Sequence, residues 1–333
     1  DVLWLSPFYE TNQYHGYHIT NFEKPDSRFG NIQDLKELVD AAHHKSMQII
    51  ADFVPNHCSV NHPFFRDALQ NSASTYRKWF YFDNHNQYRS FLYFKEIPKI
   101  NLDYQPAREY MTSVAKYWLS LGLDGFRLDH AIGPSLAFWE YFTKEVKNAY
   151  PDTILIGEAW MQGFPKKYFN TINIKNKLLR RWFHVSQKKL QLDYYGLFDS
   201  VFDFHFNSMV KNHFTSQLRN SDNFKQRIEH YLNSYPANYR PVLFLDNHDM
   251  DRFLFFAGND KIKMKHAFEM LFSLHCPVSL YYGTETGLIQ PETMYQTKPH
   301  ADLAVRAPMN WDSADTELIR FVAALAEKYK MFS

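Results

Sequence analysis

Short apolar runs that each give way to a longer segment of helical period recur along this chain, and that alternation constrains its fold more than any other feature. The runs are Val2–Leu5, Gln48–Val54, Gly125–Asp129, Thr153–Gly157, Ser200–Phe204, Val242–Leu245 and Val278–Tyr282. Helical patterns cover Ile32–Lys45, Glu109–Leu121, Ser135–Ala149, Ser208–Arg219, Asn223–Leu232 and Lys261–Leu274. Apolar strands alternating with amphipathic helices imply parallel βαβ units whose sheet faces are both covered. The expected class is α/β, and the expected architecture a (β/α)8 TIM-type barrel. Seven strands are countable and the first begins at once, so the first barrel strand and its helix are expected to be missing and the chain to be a fragment.

Residues 58–102 break this rhythm, being rich in Asn, Phe, Tyr and charge, as in WFYFDNHNQYRSFLYF. They are expected to form a small inserted domain after the third barrel strand, with residues 1–57 and 103–333 making the barrel. A chain of 333 residues with 45% hydrophobic content can bury a core of that size.

Composition narrows the partners. Lys and Arg number 37 against 36 Asp and Glu, so no electrostatic footprint for nucleic acid or an anionic membrane is present. Aromatics reach 18%, a surplus that suits a cleft stacking on flat, apolar ligand faces such as those of sugars. Two cysteines, Cys58 and Cys276, do not make a disulfide framework and permit a reducing compartment. No run of about eighteen apolar residues suggests a membrane span, and the start DVLWLSPFYE lacks the features of a signal peptide. A cytoplasmic location is expected over a secreted one, although any leader would precede residue 1.

Titratable residues gather where the apolar runs end, which in a parallel barrel is the single face that carries active sites. Pro55, Asn56 and His57 follow IIADFV; Asp129 ends FRLD; Glu158 ends ILIGE; Asn247, His248 and Asp249 follow VLFLD. An acid after a strand also serves as an ordinary helix cap, but four such sites on one rim point to chemistry. Cleaving an acetal needs one carboxylic acid to protonate the leaving oxygen and one carboxylate to attack or stabilise the cationic carbon. Asp129 and Glu158 close successive strands, and strands about 4.8 Å apart can bring carboxyls to the roughly 5–5.5 Å of a retaining enzyme. Arg127, two residues before Asp129, points to the same side and can keep it ionised.

These motifs, in this order, resemble the α-amylase family of glycoside hydrolases, family thirteen, over essentially the whole chain. The resemblance rests on Asp52-Phe53-Val54-Pro55-Asn56-His57, Gly125-Phe126-Arg127-Leu128-Asp129, Gly157-Glu158-Ala159-Trp160 and Phe244-Leu245-Asp246-Asn247-His248-Asp249. It implies Asp129 as nucleophile, Glu158 as acid/base and Asp249 as a third acid that grips sugar hydroxyls. It further implies that His57 and His248 bond the sugar at the cleavage subsite and that Arg127 bonds the nucleophile. His15-Gly16-Tyr17 resembles the segment whose tyrosine stacks under the reactive sugar, although a lone tyrosine there also serves as packing. Asp302 and Arg306 resemble a pair gripping the next sugar, with an i,i+4 surface pair as the alternative. His15 and His18 are expected to be structural.

Two departures bear on metals. Many family members hold calcium near the inserted domain through an acid in a short motif that here reads Ile97-Pro98-Lys99-Ile100-Asn101. Lysine cannot ligate calcium, and Gly133 stands where such members carry histidine. No calcium at that site, and no other cofactor, is therefore expected. The lysine form resembles the neopullulanase and cyclomaltodextrinase branch.

The resemblance implies a retaining hydrolase of α-1,4-glucosidic bonds in maltooligosaccharides, working through a covalent glucosyl-enzyme. Glu158 then has to hold a proton at rest, which apolar surroundings, Trp160 among them, and the charge of Asp129 favour. A transglycosylase or isomerase on the same scaffold stays open, as does a non-catalytic carbohydrate-binding relative, against which the presence of all three acids argues. The chain ends before the β-sandwich usual in the family, and oligomeric state is not legible.

Overall fold

In the computed structural model, which describes residues 1–161, 187–215, 223–296 and 299–330, each of the seven apolar runs contains a strand. In chain order the strands are β1 (Val2–Leu5), β2 (Tyr9–Thr11), β3 (Ile19–Pro25), β4 (Gln48–Phe53), β5 (Ser90–Phe91), β6 (Phe94–Pro98), β7 (Gly125–Leu128), β8 (Ile154–Gly157), β9 (Ser200–Val201), β10 (Leu243–Phe244) and β11 (Val278–Ser279). Five of the seven form one sheet in the order β1-β4-β7-β8-β9 with every pairing parallel. The other two, β10 and β11, form a parallel pair.

The chain divides into two compact units, Asp1–Val201 and Phe202–Ser333. In the first, the period-two alternation of strands separates an apolar from a polar sheet face. Phe53 of β4 and Phe126 of β7 lie with ring centroids 5.1 Å apart, and Phe53 stacks at 5.5 Å on Phe142 of the helix Leu136–Ala149. That helix starts where Ser135 accepts a hydrogen bond from the Phe138 amide, a cap worth about 1 kcal/mol. On the other face the register places Asp52 beside Arg127, with the Arg127 guanidinium 5.3 Å from the Trp4 ring. The helix Ile32–His43 begins in a capping box made by Asn31 and Asp34.

Residues 58–102 lie within this first unit. They hold a helix, Pro63–Gln70, with proline in its first turn and His62 as its cap, and the antiparallel hairpin β5–β6. Single bridges pair His57 with Lys99 and Phe80 with Ile100. A second hairpin, β2–β3, falls where the sequence suggested no strands. Its Tyr9-Glu10-Thr11 arm is short and its register shifts twice, so no clean alternation marks it.

In the second unit the helices Phe204–Thr215, Phe224–Leu232, Lys261–Phe272 and Thr316–Lys330 surround a core that includes Phe206, Val210, Leu243, Leu245, Phe268 and Leu271. The first of these helices begins four residues before the expected Ser208, and residues 216–219 of that expected pattern lie outside the described residues. Strands here are shorter than their apolar runs because the ends of the runs leave the ladder. Leu245 runs on into Asp246, which caps the turn ahead by accepting from the Phe253 amide at 2.7 Å. No helix among the described residues is long and apolar enough to cross a membrane.

Candidate active site

The Arg127 guanidinium organises the polar face of the first unit. Its Nη1 donates to both oxygens of Asp52, at 2.9 and 3.0 Å, and to Asp129 Oδ1 at 2.7 Å. Its Nη2 lies 2.8 Å from Glu158 Oε1. One guanidinium thus contacts both the Asp129 and the Glu158 carboxyls, one through each terminal nitrogen. The strands explain this: Asp129 and Glu158 each follow the last residue of their strand, and the ladder continues past both. Asp129 donates its amide to Phe53 O at 2.9 Å, and Glu158 donates its own to Leu128 O at 3.0 Å.

Glu158 is held from a second side. The His130 amide donates to its Oε2 at 3.0 Å, with His130 in the left-handed region at φ 44°. A non-glycine residue there costs about 1–3 kcal/mol and persists where surrounding structure enforces it. The loop beyond is tied down through Ala131 O, which accepts from Trp139 Nε1 at 2.8 Å and Tyr194 OH at 3.0 Å. Trp160, two residues beyond Glu158, is 40% exposed.

Asp52 is the residue that sequence reasoning left without a role. It is fully buried, binds Arg127 through both oxygens and accepts from Tyr17 OH at 2.9 Å. Tyr17 is thereby tethered by its hydroxyl, its ring 5.9 Å from that of His15. The sequence did carry a signal: a lone acid inside an apolar strand needs a cationic partner. Burial pushes the Asp52 carboxyl up to about 6; the Arg127 guanidinium works against that rise, and the charge of Glu158 adds to it. One cation therefore faces three acids. Removing one partner of such a buried pair costs about 3–5 kcal/mol.

His57 and His130 flank this cluster as neutral imidazoles. Burial lowers His57 to about 3, and it holds His130 well below its ordinary value, the Lys99 ammonium adding to both shifts. Lys99 is itself buried, and its Nζ donates to Gly133 O at 2.7 Å. A Cβ on Gly133 would lie 2.2 Å from Asn56 Oδ1 and 2.6 Å from His130 Cδ2, so any larger residue there would displace one of those side chains. Among the described residues no group of three or more His, Cys, Asp or Glu could hold a metal ion. Lys99 thus puts an ammonium, which cannot ligate calcium, on the Gly133 carbonyl.

The second unit carries the remaining predicted residues. Asp249 lies between His248, whose Nε2 is 2.9 Å from Oδ2, and Arg306, whose Nη2 is 3.0 Å from Oδ1. Arg306 also reaches Asp302 Oδ2 through Nε at 3.3 Å. The i,i+4 contact thus exists, but Arg306 is not spent on it alone, and its side chain is only 17% exposed. The backbone of this loop is fixed from beneath. Asp246 accepts from the Phe253 amide and from Thr284 Oγ1, and buried Arg252 donates to Tyr282 O at 2.9 Å and Val305 O at 3.0 Å. Asp251 accepts from Thr293 Oγ1 and from the Met294 amide. None of these anchors was singled out by sequence reasoning, because most of the partners, 30 to 53 residues apart, meet only in the fold.

Comparison with known proteins returns one family. A model described as Alpha amylase, catalytic domain, matches residues 1–89 and 79–330. Alpha-amylase 2 of Dictyoglomus thermophilum is 32% identical over 330 residues, covering 98% of this chain and 54% of the relative. A cyclomaltodextrinase of Bacillus sp is 30% identical over 335 residues, covering 96% of this chain and 54% of the relative. The chain thus spans about half the length of the curated relatives it matches. Among solved structures, the cyclic alpha-maltosyl-(1-->6)-maltose hydrolase from Arthrobacter globiformis shares the fold. Its TM-score is 0.79 over 98% of this chain and 69% of its own, at 23% identity.

Proposed function

Because the chain belongs to the α-amylase catalytic-domain family, we propose that it hydrolyses α-1,4-glucosidic bonds in maltooligosaccharides with retention, on a (β/α)8 barrel. The observation that carries this reading is the single guanidinium joining Asp129 and Glu158. Two carboxyls on adjacent strand ends that meet on one guanidinium supply the nucleophile and the acid/base that a double displacement needs.

Glu158 protonates the leaving oxygen while Asp129 attacks the anomeric carbon, and the C–O bond breaks as the glucosyl ester forms. Glu158, now ionised, takes a proton from water, which attacks the same carbon and frees Asp129. Arg127 keeps Asp129 ionised and aimed. The His130 amide holds Glu158 in place. Asp249 grips sugar hydroxyls as the third acid, with His57 and His248 as hydrogen-bond partners, Tyr17 as the stacking ring, and Asp302 and Arg306 on the next sugar. Lys99 takes the structural place of calcium, and the reaction needs no other cofactor. The partner is a neutral α-glucan, not nucleic acid or membrane.

Hydrolysis of starch, pullulan, cyclodextrins and maltotriose, with products resolved by chromatography, tests the reaction; oligosaccharides longer than maltotriose would reveal transfer instead. Asp129→Asn is expected to lower turnover by several orders of magnitude while oligosaccharide binding survives. Retained activity in that variant removes the nucleophile assignment.

A further inference from the structure

The hairpin β5–β6 presents rings that neither the core nor the acid cluster uses. Tyr93 and Phe94 lie 4.1 Å apart between centroids, and they are 59% and 38% exposed. Phe94 stacks on Phe91 at 6.2 Å with the planes 13° apart. Phe91 in turn touches the catalytic surroundings, its ring 4.9 Å from that of His57 and 4.6 Å from that of His130. The four contacts make a continuous aromatic path from the histidines beside the acid pair out to solvent.

The hairpin is built to hold these rings in place. Its return strand is hydrogen-bonded to the segment that follows β4: the Cys58 amide donates to Pro98 O at 3.2 Å and the Val60 amide to Glu96 O at 2.9 Å. Just beyond that strand, the Ile100 amide donates to Asn56 O at 2.9 Å. Tyr88 OH closes the base through Lys95 O at 2.9 Å. Leu92 turns the tip in the left-handed region at φ 50° and so sets the direction of Tyr93. A rigid exposed aromatic pair is what an apolar sugar face selects, since little ordering entropy is left to lose on binding.

We propose that Tyr93 and Phe94 form a stacking platform for the pyranose rings of an α-glucan chain beyond those at the cleaved bond, and so set chain-length preference. This rests on the α-glucan reading of the acid site; the occupant follows from the continuity of the aromatic path with that site. A pyranose presents axial C–H groups to a ring face and its hydroxyls to water, which fits rings half out in solvent.

The test compares maltotriose with maltoheptaose on the full chain, wild type against Tyr93→Ala, Phe94→Ala and the double variant, by kinetics and by calorimetric titration in an Asp129→Asn background. The expected result is a roughly tenfold rise in KM and Kd for maltoheptaose in the double variant. Its kcat and the maltotriose values should stay within twofold, and Tyr93→Trp should keep the wild-type preference. Thermal melts identify a variant that fails to fold, and Tyr93→Ser, expected to raise KM and Kd for maltoheptaose and not for maltotriose, decides the question in that case. Equal losses on both ligands, no loss on either, or no binding of maltoheptaose by the parent overturns the platform. Length-dependent binding that the substitutions abolish in a parent that hydrolyses neither ligand upholds the platform and sinks the hydrolytic reading alone.

Discussion

His62 offers a clean acid-sensitivity experiment. It is 4% exposed, caps the helix Pro63–Gln70 by accepting from the Phe64 amide through Nδ1 at 3.2 Å, and packs its ring 4.9 Å from Phe64 and 5.5 Å from Phe22. A protonated ring can no longer accept that bond, and burial lowers its pKa from 6.5 to about 4. The sign follows directly. The fold binds the neutral imidazole, so this stability is fully present above the unfolded value of 6.5 and is lost as pH falls toward 4. Linkage with those two values gives a loss of about 2.5 kcal/mol between pH 8 and pH 4.5. His62→Asn keeps the cap acceptor and cannot titrate, while giving up ring contacts at every pH alike. Urea unfolding of both proteins at half-unit steps from pH 8 to 4.5 is expected to show the wild-type advantage shrinking by about that amount. A wild-type minus variant difference constant to within about 0.5 kcal/mol, smaller than a single pKa unit, refutes the argument.

Three further outcomes follow from the same structure. Arg127→Lys keeps the charge but cannot span Asp52, Asp129 and Glu158, so kcat/KM on maltotriose should fall about 10²- to 10⁴-fold, equivalent to two lost charge-assisted hydrogen bonds; a change below tenfold removes Arg127 from the positioning role. Lys99→Gln leaves the buried Gly133 carbonyl with a weaker donor, and denaturant unfolding should register a loss of about 1–3 kcal/mol. Chelator treatment of the wild-type protein should leave its melting temperature unchanged, and a drop of several degrees that calcium restores would contradict the account of Lys99.

How far the site could be read from sequence depended on residue spacing. Asp129, Glu158 and Arg127 were visible because chemistry at the end of an apolar strand follows from period-two alternation. Asp52 was quoted within its motif but given no task, because its importance lies in sharing a row with Arg127 75 residues away. The grip of Arg306 on Asp249 was likewise hidden, with an i,i+4 spacing suggesting only the Asp302 contact. The β2–β3 and β5–β6 hairpins escaped notice because short, register-shifted antiparallel arms leave no periodic trace.

What the sequence settled by itself was local: seven apolar runs, helices between them, and acids at the ends of the runs. Hydrophobic periodicity acts over a few residues and needs no partner to be seen. What only the tertiary structure decided was which charges meet. Three acids from three strands or their ends gather around one guanidinium, and a lysine donates to a carbonyl 34 residues away. Those encounters depend on strand register and on burial, which set both the distance between charges and the dielectric in which they act.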